Sequence, residues 1–265
     1  MGWGDEIMVT GLARRLQSKS PLPVRVLDRA GRARWSDIWA NNPRFASPEF
    51  RGPVQKLVNA PGKREYIAGK TREGWRWREW ICPLGEIYLT EEEREFGRLQ
   101  AGSILLEPAL KPQASRNKDW GWKRWAELAR QLSKRGHTVT QFASRHCPAL
   151  PGARLVRAKN FRHACALVES ARVAVLPEGG LHHAAAAFRT ATIVLFGGFI
   201  SPAQTGYAHH VNLFTGGVPC GRRNPCSHCT QAMRRISVDE VLAHTLSLLR
   251  WVGPVGADHP NRSKT

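Results

Sequence analysis

The second half of this chain repeats one pattern, a short apolar run followed by a longer amphipathic one. From residue 103 the runs are SILLE, WKRWAELARQLSKRG (122–136), HTVTQF, ARLVRA, FRHACALVESA (161–171), RVAVL, LHHAAAAF and TIVLF. The short runs have the length and β-branched content of strands, and the long ones space their apolar residues as a helix does. Strands alternating with helices predict a parallel, doubly wound α/β sheet. In the helix at 122–136, Trp122, Trp125, Leu128, Ala129 and Leu132 are expected on one side, with Gly136 as the stop. A closing helix is expected at 237–251, with Ser237 and Glu240 at capping-box spacing. It is placed as crossing back toward the first hundred residues.

The first hundred residues are less regular. DEIMVTGLARRLQS (5–18) reads as an amphipathic helix, VRVLD (24–28) as a strand, and TEEEREFG (90–97) as a short helix capped by Thr90 and Glu93. Residues 31–85 are rich in Trp, Arg, Pro and Gly without a long period and are expected to be irregular, with short elements. The organisation expected is a first domain over 1–100, a second over 101–252 and a disordered tail over 253–265.

In an open parallel sheet, ligands bind beyond the carboxyl ends of the strands. Three unusual loops each follow a strand: EPALKPQASRNKDW (107–120), PEGGLHH (177–183) and GGFISPAQTGY (197–207). They are therefore expected to line one cleft. Gly179 and Gly180 lack a Cβ and allow a ligand close to the backbone. From Leu181 a helix begins, and its free N–H groups suit phosphate oxygens. His183 is a candidate donor to the same anion, Glu178 a candidate acceptor for sugar hydroxyls, and Lys118, with Ser115, a candidate for neutralising a diphosphate.

Charge agrees with an anionic ligand. Lys and Arg number 40 against 21 acids, a formal net charge of +19 over 265 residues. That excess suits a nucleotide, a nucleic acid, a phosphorylated glycan or an anionic membrane surface. No run reaches the roughly 18–20 apolar residues of a membrane span. Asp5 and Glu6 stand where the apolar core of a secretion signal would begin, so a cytoplasmic protein is expected, with peripheral contact at the inner membrane as an option.

Two clusters stand apart. PCGRRNPCSHC sets Cys220, Cys226 and Cys229 at C-x5-C-x2-C, and the Cys-x2-Cys half is common in tetrahedral thiolate sites. His228 or a more distant histidine is the candidate fourth ligand, for a structural zinc or iron. In REGWRWREW (72–80), Trp75 and Trp77 alternate with arginines. They read as one face of a strand packing a small domain, with binding of an acceptor as the second reading.

These residues together resemble the family 9 glycosyltransferases, the ADP-heptose lipopolysaccharide heptosyltransferases and their relatives. Four segments carry the likeness in the family's order: GWGDEIMVTGLARRL, ASRNKDWGWKRWAELARQL, EGGLHHAAAA and TIVLFGG. The resemblance implies a GT-B-like fold of two Rossmann-like domains. It implies an inverting transferase that moves a heptose or other hexose-like sugar from a nucleoside-diphosphate donor, ADP-heptose-like, to a hydroxyl of an anionic acceptor. That acceptor is a glycan, a protein or DNA.

Carried over residue by residue, the resemblance makes Asp5 the catalytic base, with Gly4 beside it on the acceptor side. Lys118, Ser115 and the helix start at Gly180–His183 would hold the leaving diphosphate. No divalent metal is required for catalysis, and some relatives bind a metal through a cysteine cluster in the region of Cys220, Cys226 and Cys229. Three departures shape the expectation. The family's opening strand, which would precede Gly4, is missing, so the chain starts late or the N-terminal domain is reduced. Glu178-Gly179 replaces the usual Asp followed by Thr or Ser, which leaves the sugar open. The segment 31–85 is unfamiliar, which leaves the acceptor open. The competing reading is a basic nucleic-acid-binding protein on an inactive transferase scaffold.

Overall fold

The computed structural model describes residues 2–62, 64–102, 104–111 and 114–252. The tail over 253–265, expected to be disordered, lies outside the described residues.

The first hundred residues form helix α1 (Trp3–Gln17), strands β1 (Val24–Leu27), β2 (Gln55–Val58), β3 (Ile67–Lys70) and β4 (Trp75–Trp77), and helix α2 (Glu91–Gln100). Strands β1 and β2 pair in parallel, and β3 and β4 form an antiparallel hairpin. The expected capping box at α2 is complete: Glu93 N–H donates to Thr90 Oγ1 at 3.2 Å, and Thr90 N–H donates to Glu93 Oε2 at 2.8 Å.

The second half supplies β5 (Ile104–Leu106), α3 (Trp122–Lys134), β6 (Val139–Phe142), β7 (Arg154–Val156), α4 (Phe161–Ser170), β8 (Val173–Pro177), α5 (Gly180–Phe188) and β9 (Ala191–Gly197). It ends with α6 (Pro202–Thr205), β10 (Val211–Phe214), α7 (Ser227–Arg235) and α8 (Val238–Trp251). Six of these strands form one parallel sheet in the order β10-β9-β8-β5-β6-β7. The chain enters at the middle with β5, fills one side with β6 and β7, then crosses to β8 and fills the other. The strand order therefore reverses between β5 and β8. The loops leaving those two strands diverge and open a crevice there.

The sheet's central strands are buried on both faces, which is why they read as unbroken apolar runs. Ile104, Leu106, Val173, Val175, Ile193 and Leu195 face a core shared with α3 and α8. A fully buried aliphatic side chain of this kind contributes roughly 1.5–3 kcal/mol. Two expectations are corrected here. Trp122 is 41% exposed, and Trp120, just ahead of the helix, fills the core instead. It packs edge-on to Trp125 at 5.0 Å, and its indole N–H donates to Ile236 O at 2.9 Å. The closing helix α8 does not leave its own half: Val241, Leu242 and Leu249 join α3 over the sheet.

A second core joins the two halves of the chain. Ile7, Val9, Ala13, Val24, Val26, Ile38 and Trp39 pack with Cys165, Ala166 and Ala184 of α4 and α5. Helix α1 therefore lies along α5. The contact is close because Gly4 faces His183. A Cβ at residue 4 would stand 2.5 Å from His183 Cδ2, inside any real contact distance. Arg162 of α4 closes the same seam from a buried position, donating to both carboxylate oxygens of Glu93 at 2.6 and 2.7 Å and to Tyr88 O at 2.6 Å.

Candidate functional site

A cleft of about 370 Å³ opens at the reversal point. The loop after β5 lines it with Glu107, Ala109 and Lys111, and the segment after β8 lines it with Pro177 through Leu181. The start of α1 forms the facing wall with Gly4 and Asp5, and Tyr66, Lys118 and His183 complete it. Eight of the expected site residues, Gly4, Asp5, Lys118, Glu178, Gly179, Gly180, Leu181 and His183, thus meet in one place.

Two contacts orient Asp5 through one carboxylate oxygen. Its Oδ1 accepts from Tyr66 Oη at 2.9 Å and forms an ion pair with Arg64 Nε at 2.9 Å. Burial and the neighbouring Asp5 carboxylate push the Tyr66 phenol well above its ordinary range, so it remains a donor. Oδ2 lies beside Gly2, which with Asp5 and Lys111 lines the cleft. A Cβ on Gly2 would lie 3.4 Å from Oδ2 and 3.5 Å from Lys111 Nζ. Arg64, Tyr66 and Lys111 carried no signal in the sequence, since nothing local ties them to Asp5.

Lys118 and Glu178 pair with each other, Nζ to Oε2, in a site where the side chains are 16% and 6% exposed. Glu178 Oε1 also accepts from Thr205 Oγ1 at 3.2 Å. Burial opposes ionisation of Glu178, but the Lys118 ammonium, His182 and the Thr205 hydroxyl outweigh it and hold the carboxyl below its usual range. Glu107, by contrast, is buried with only the Ala109 N–H as a counter-effect, and its carboxyl is pushed up to about 8.

The two histidines differ. Nδ1 of His182 accepts from the Gly179 N–H at 2.9 Å, so its proton sits on Nε2, which donates to Thr205 O at 2.9 Å. Both nitrogens are engaged in holding the start of α5, and burial keeps the ring neutral. Glu178, His182 and His183 lie close enough to share a metal. With both His182 nitrogens bonded and Glu178 on Lys118, this group is a hydrogen-bonded scaffold. His183 makes one bond, Nδ1 to Tyr207 Oη at 2.7 Å.

The two glycines have separate reasons. A Cβ on Gly180 would meet Trp3 Cβ at 3.0 Å and Phe161 Cζ at 3.1 Å, where those rings stack at 4.7 Å. Gly180 thus sits in tight packing against these two residues. Gly179 has extended backbone, and a Cβ there would find nothing nearer than Pro177 O at 4.0 Å. Among the described residues, no contact calls for a glycine at 179.

Ser115 is not among the residues lining the cleft. Its hydroxyl caps the short 3-10 turn at 116–118, accepting from Asn117 N–H at 3.3 Å, and bonds the backbone carbonyls of Arg222 and Arg223 at 3.2 and 3.1 Å. Trp75 and Trp77 are also elsewhere. Their hairpin docks on the 197–222 segment: Trp75 N–H donates to Gly221 O at 3.0 Å and Trp77 Nε1 to Phe199 O at 2.8 Å. Trp on one face and Arg on the other is the alternation that the packing reading expects.

Under that hairpin lies the cysteine cluster. Cys220 Sγ is 3.8 Å from Cys226 Sγ and 3.0 Å from Cys229 Sγ, and His228 Nδ1 is 3.8 Å from Cys229 Sγ. His228 Nε2 donates to Gly216 O at 2.7 Å, which leaves Nδ1 as a lone pair facing the sulfurs. A carbonyl fixing the far nitrogen is the usual outer support of a histidine ligand. Tetrahedral Zn–S bonds of about 2.3 Å place sulfurs about 3.8 Å apart. The Cys220–Cys226 pair has that spacing and Cys220–Cys229 is closer; the three thiols and the imidazole, all within 4.8 Å of one another, could hold a metal. A hydrogen bond from Cys229 and one from Arg222 N–H hold the Cys220 thiol down to about 5 against its burial.

An open parallel sheet that reverses at its centre, with a helix start above the reversal, has the architecture of the GT-B-like α/β proteins. Residues 90–233, more than half of the chain, match the model of glycosyltransferase family 9 (heptosyltransferase), and the chain belongs to that family, a family of glycosyltransferases. Solved structures agree in fold. The family 9 glycosyl transferase of Veillonella parvula matches at 14% identity with a TM-score of 0.61, over 95% of each chain. The iron-containing dodecameric glycosyltransferase TibC of enterotoxigenic E. coli matches at 16% identity with a TM-score of 0.63, over 96% of this chain and 75% of its own. The ADP-heptose heptosyltransferase II of E. coli matches at 19% identity with a TM-score of 0.50, over 64% of this chain, and this chain spans only 55% of that enzyme. No curated protein is significantly similar in sequence.

Proposed function

We propose that this chain transfers a sugar from a nucleoside-diphosphate donor to a hydroxyl of an anionic acceptor, with inversion at the anomeric carbon. One observation supports the reading: a carboxylate fixed through Oδ1 by Tyr66 and Arg64 lines the same cleft as the N-terminus of α5. In this reading Asp5 Oδ2 takes the acceptor's proton, and the deprotonated oxygen attacks the sugar carbon from the side opposite the diphosphate. Tyr66 and Arg64 orient that carboxylate. The departing diphosphate, carrying the electrons of the broken bond, is stabilised by the N–H groups at the start of α5, by His183 and by cations of the cleft.

Two cations are available on this account. Lys118 can exchange Glu178 for a phosphate as the donor enters, which would release Glu178 to accept from the sugar hydroxyls. Lys111 adds a second ammonium at the mouth. Gly179 leaves room for the diphosphate beside the backbone, since none of the described residues occupies that space. An ADP-linked heptose is the donor that the relatives' names suggest, and Glu178-Gly179 is where the sugar would be selected. The acceptor would approach from the α1 side, and a division of the chain near residue 100 belongs to the same reading.

We further propose that Cys220, Cys226, Cys229 and His228 hold a structural zinc or iron. It would tie α7 to the 197–222 segment, and so to the hairpin of Trp75 and Trp77, without contact with the reacting atoms.

The test is a panel of nucleotide sugars followed by thermal shift and by release of nucleoside diphosphate. One donor should raise the midpoint and turn over with a sugar acceptor. Asp5→Asn should lower turnover by about 10²–10⁴-fold, the usual share of a general base, with donor binding nearly unchanged. An Asn variant that turns over normally would overturn the assignment.

A further inference from the structure

We propose that Tyr207 is a positioning residue that fixes which nitrogen of His183 carries the proton, so that an Nε2–H donor is presented to the cleft. The proposal rests on the reading above, in which His183 meets the donor's diphosphate.

The geometry is a short buried chain of hydrogen bonds. Cys82 Sγ lies 3.2 Å from Tyr207 Oη, and Tyr207 Oη lies 2.7 Å from His183 Nδ1. Tyr207 and His183 are 6% and 2% exposed. Each member has a defined protonation state. Burial pushes the Cys82 thiol up to about 12 and the Tyr207 phenol well above its ordinary range, so both keep their protons. Burial, with His182, Lys118 and His210 nearby, holds His183 well below the usual histidine range, so the ring is neutral and has one N–H.

Only two arrangements are open to a neutral ring. In the first, Cys82 S–H donates to the phenol oxygen, the phenol O–H donates to Nδ1, and the ring proton sits on Nε2. In the second, Nδ1–H donates to the phenol, whose own proton must find another acceptor. The acceptors near it are Pro83 O at 3.5 Å, well beyond the 2.5–3.0 Å of an O–H···O bond, and the Cys82 sulfur at 3.2 Å, a weak acceptor. The first arrangement is favoured because it gives the phenol proton a strong nitrogen acceptor at 2.7 Å in place of a weak sulfur or a distant carbonyl. It also sets the chemistry of the open edge. Nε2 faces Gly4 at the cleft wall, where a Cβ would stand 3.0 Å from it. An N–H there attracts a phosphate oxygen, whereas a lone pair there repels one.

His182 reaches the same tautomer by different means, through the Gly179 N–H and Thr205 O. Tyr207 comes from the loop ahead of β10 and Cys82 from the segment ahead of α2, so the relay joins three parts of the chain.

The experiment is nitrogen NMR of the histidine rings in the ¹⁵N-labelled full chain, with the His183 signals identified by their loss in His183→Asn. In the native protein, Nε2 should be protonated and Nδ1 not. Tyr207→Phe, which removes only the hydroxyl, should shift the ring toward the Nδ1–H form and weaken inorganic pyrophosphate binding about tenfold, the scale of one lost hydrogen bond. A native ring protonated on Nδ1, or a tautomer unmoved in Tyr207→Phe, overturns the proposal. A tautomer that shifts while neither Tyr207→Phe nor His183→Asn alters pyrophosphate binding upholds the positioning role and defeats the phosphate reading instead. The native spectrum needs no variant, so a Tyr207→Phe chain that fails to fold still leaves the first criterion in force.

Discussion

Lys118 and Glu178, two residues that the sequence assigned to different parts of a ligand, are bound to each other at the centre of the cleft. A buried pair of this kind is costly to break from one side, because the remaining charge has no partner. In the proposed reading, an incoming anion has to displace Glu178 from Lys118.

Neutralising the anion of that pair should separate its two roles. Glu178→Gln is expected to fold, since the amide keeps the shape, and to leave Lys118 free. Free ADP should then bind more tightly. Intact nucleotide sugar should lose about 1.5–3 kcal/mol relative to ADP if the carboxylate accepts from sugar hydroxyls. Calorimetry with both ligands measures the difference. Equal changes for ADP and for the nucleotide sugar would rule out the sugar contact.

The two glycines should respond in opposite ways. Gly180→Val presses on Trp3 and Phe161 and should cost about 1–3 kcal/mol of stability, as overpacking does. Gly179→Val meets only open space, so its unfolding midpoint should hardly move while pyrophosphate affinity collapses. Urea unfolding and ligand titration on both variants decide this. Normal pyrophosphate binding by Gly179→Val would mean that no ligand approaches that backbone.

His210 gives the protein a specific acid sensitivity. The ring is 6% exposed, neither nitrogen has a hydrogen-bond partner among the described residues, and burial beside His182 and His209 lowers it to about 2. An unfolded histidine takes a proton below about 6.5, while this one does not until about 2, so stability falls as pH drops through that window. At pH 5 the loss is about 2 kcal/mol, from 1.36 kcal/mol per unit. His210→Leu should be near neutral at pH 7 and more stable than the native chain by about that amount at pH 5. Unfolding curves of equal pH dependence in the two proteins would refute the assignment.

The cysteine cluster predicts a metal with a mechanical role. Elemental analysis of the purified chain should find about one zinc or iron per molecule, with tetrahedral thiolate coordination. Chelation should lower the thermal midpoint, and Cys226→Ser should lose the metal and show the same drop. A metal-free chain with an unchanged midpoint would contradict this.

Local signals were enough for the elements with a long period. Helices α3, α4, α5 and α8 and strands β5 through β9 follow from apolar spacing and from their stops. Strand β10 was hidden because VNLF is four residues without flanking alternation, and α7 because its first turn is built from the cysteine loop. The alternation of strands and helices led to three loops being expected on one crevice: those after β5 and β8 line it, while 197–207 is not among its lining residues and supports it through Thr205 on Glu178 and Tyr207 on His183.

What only the tertiary structure decided is which polar atom meets which. Ser115 stands in the expected loop, yet its hydroxyl turns to the carbonyls of Arg222 and Arg223, more than a hundred positions away. Asp5 gains its orientation from Tyr66 and Arg64, and His183 from Tyr207 and Cys82. The glycine that looked made for a ligand, Gly180, is packed tightly against Trp3 and Phe161, while its neighbour Gly179 faces open space. Periodicity records which face of an element is buried. Hydrogen bonds and close contacts between distant segments depend on ångström-scale placement, which exists only once the whole chain has packed.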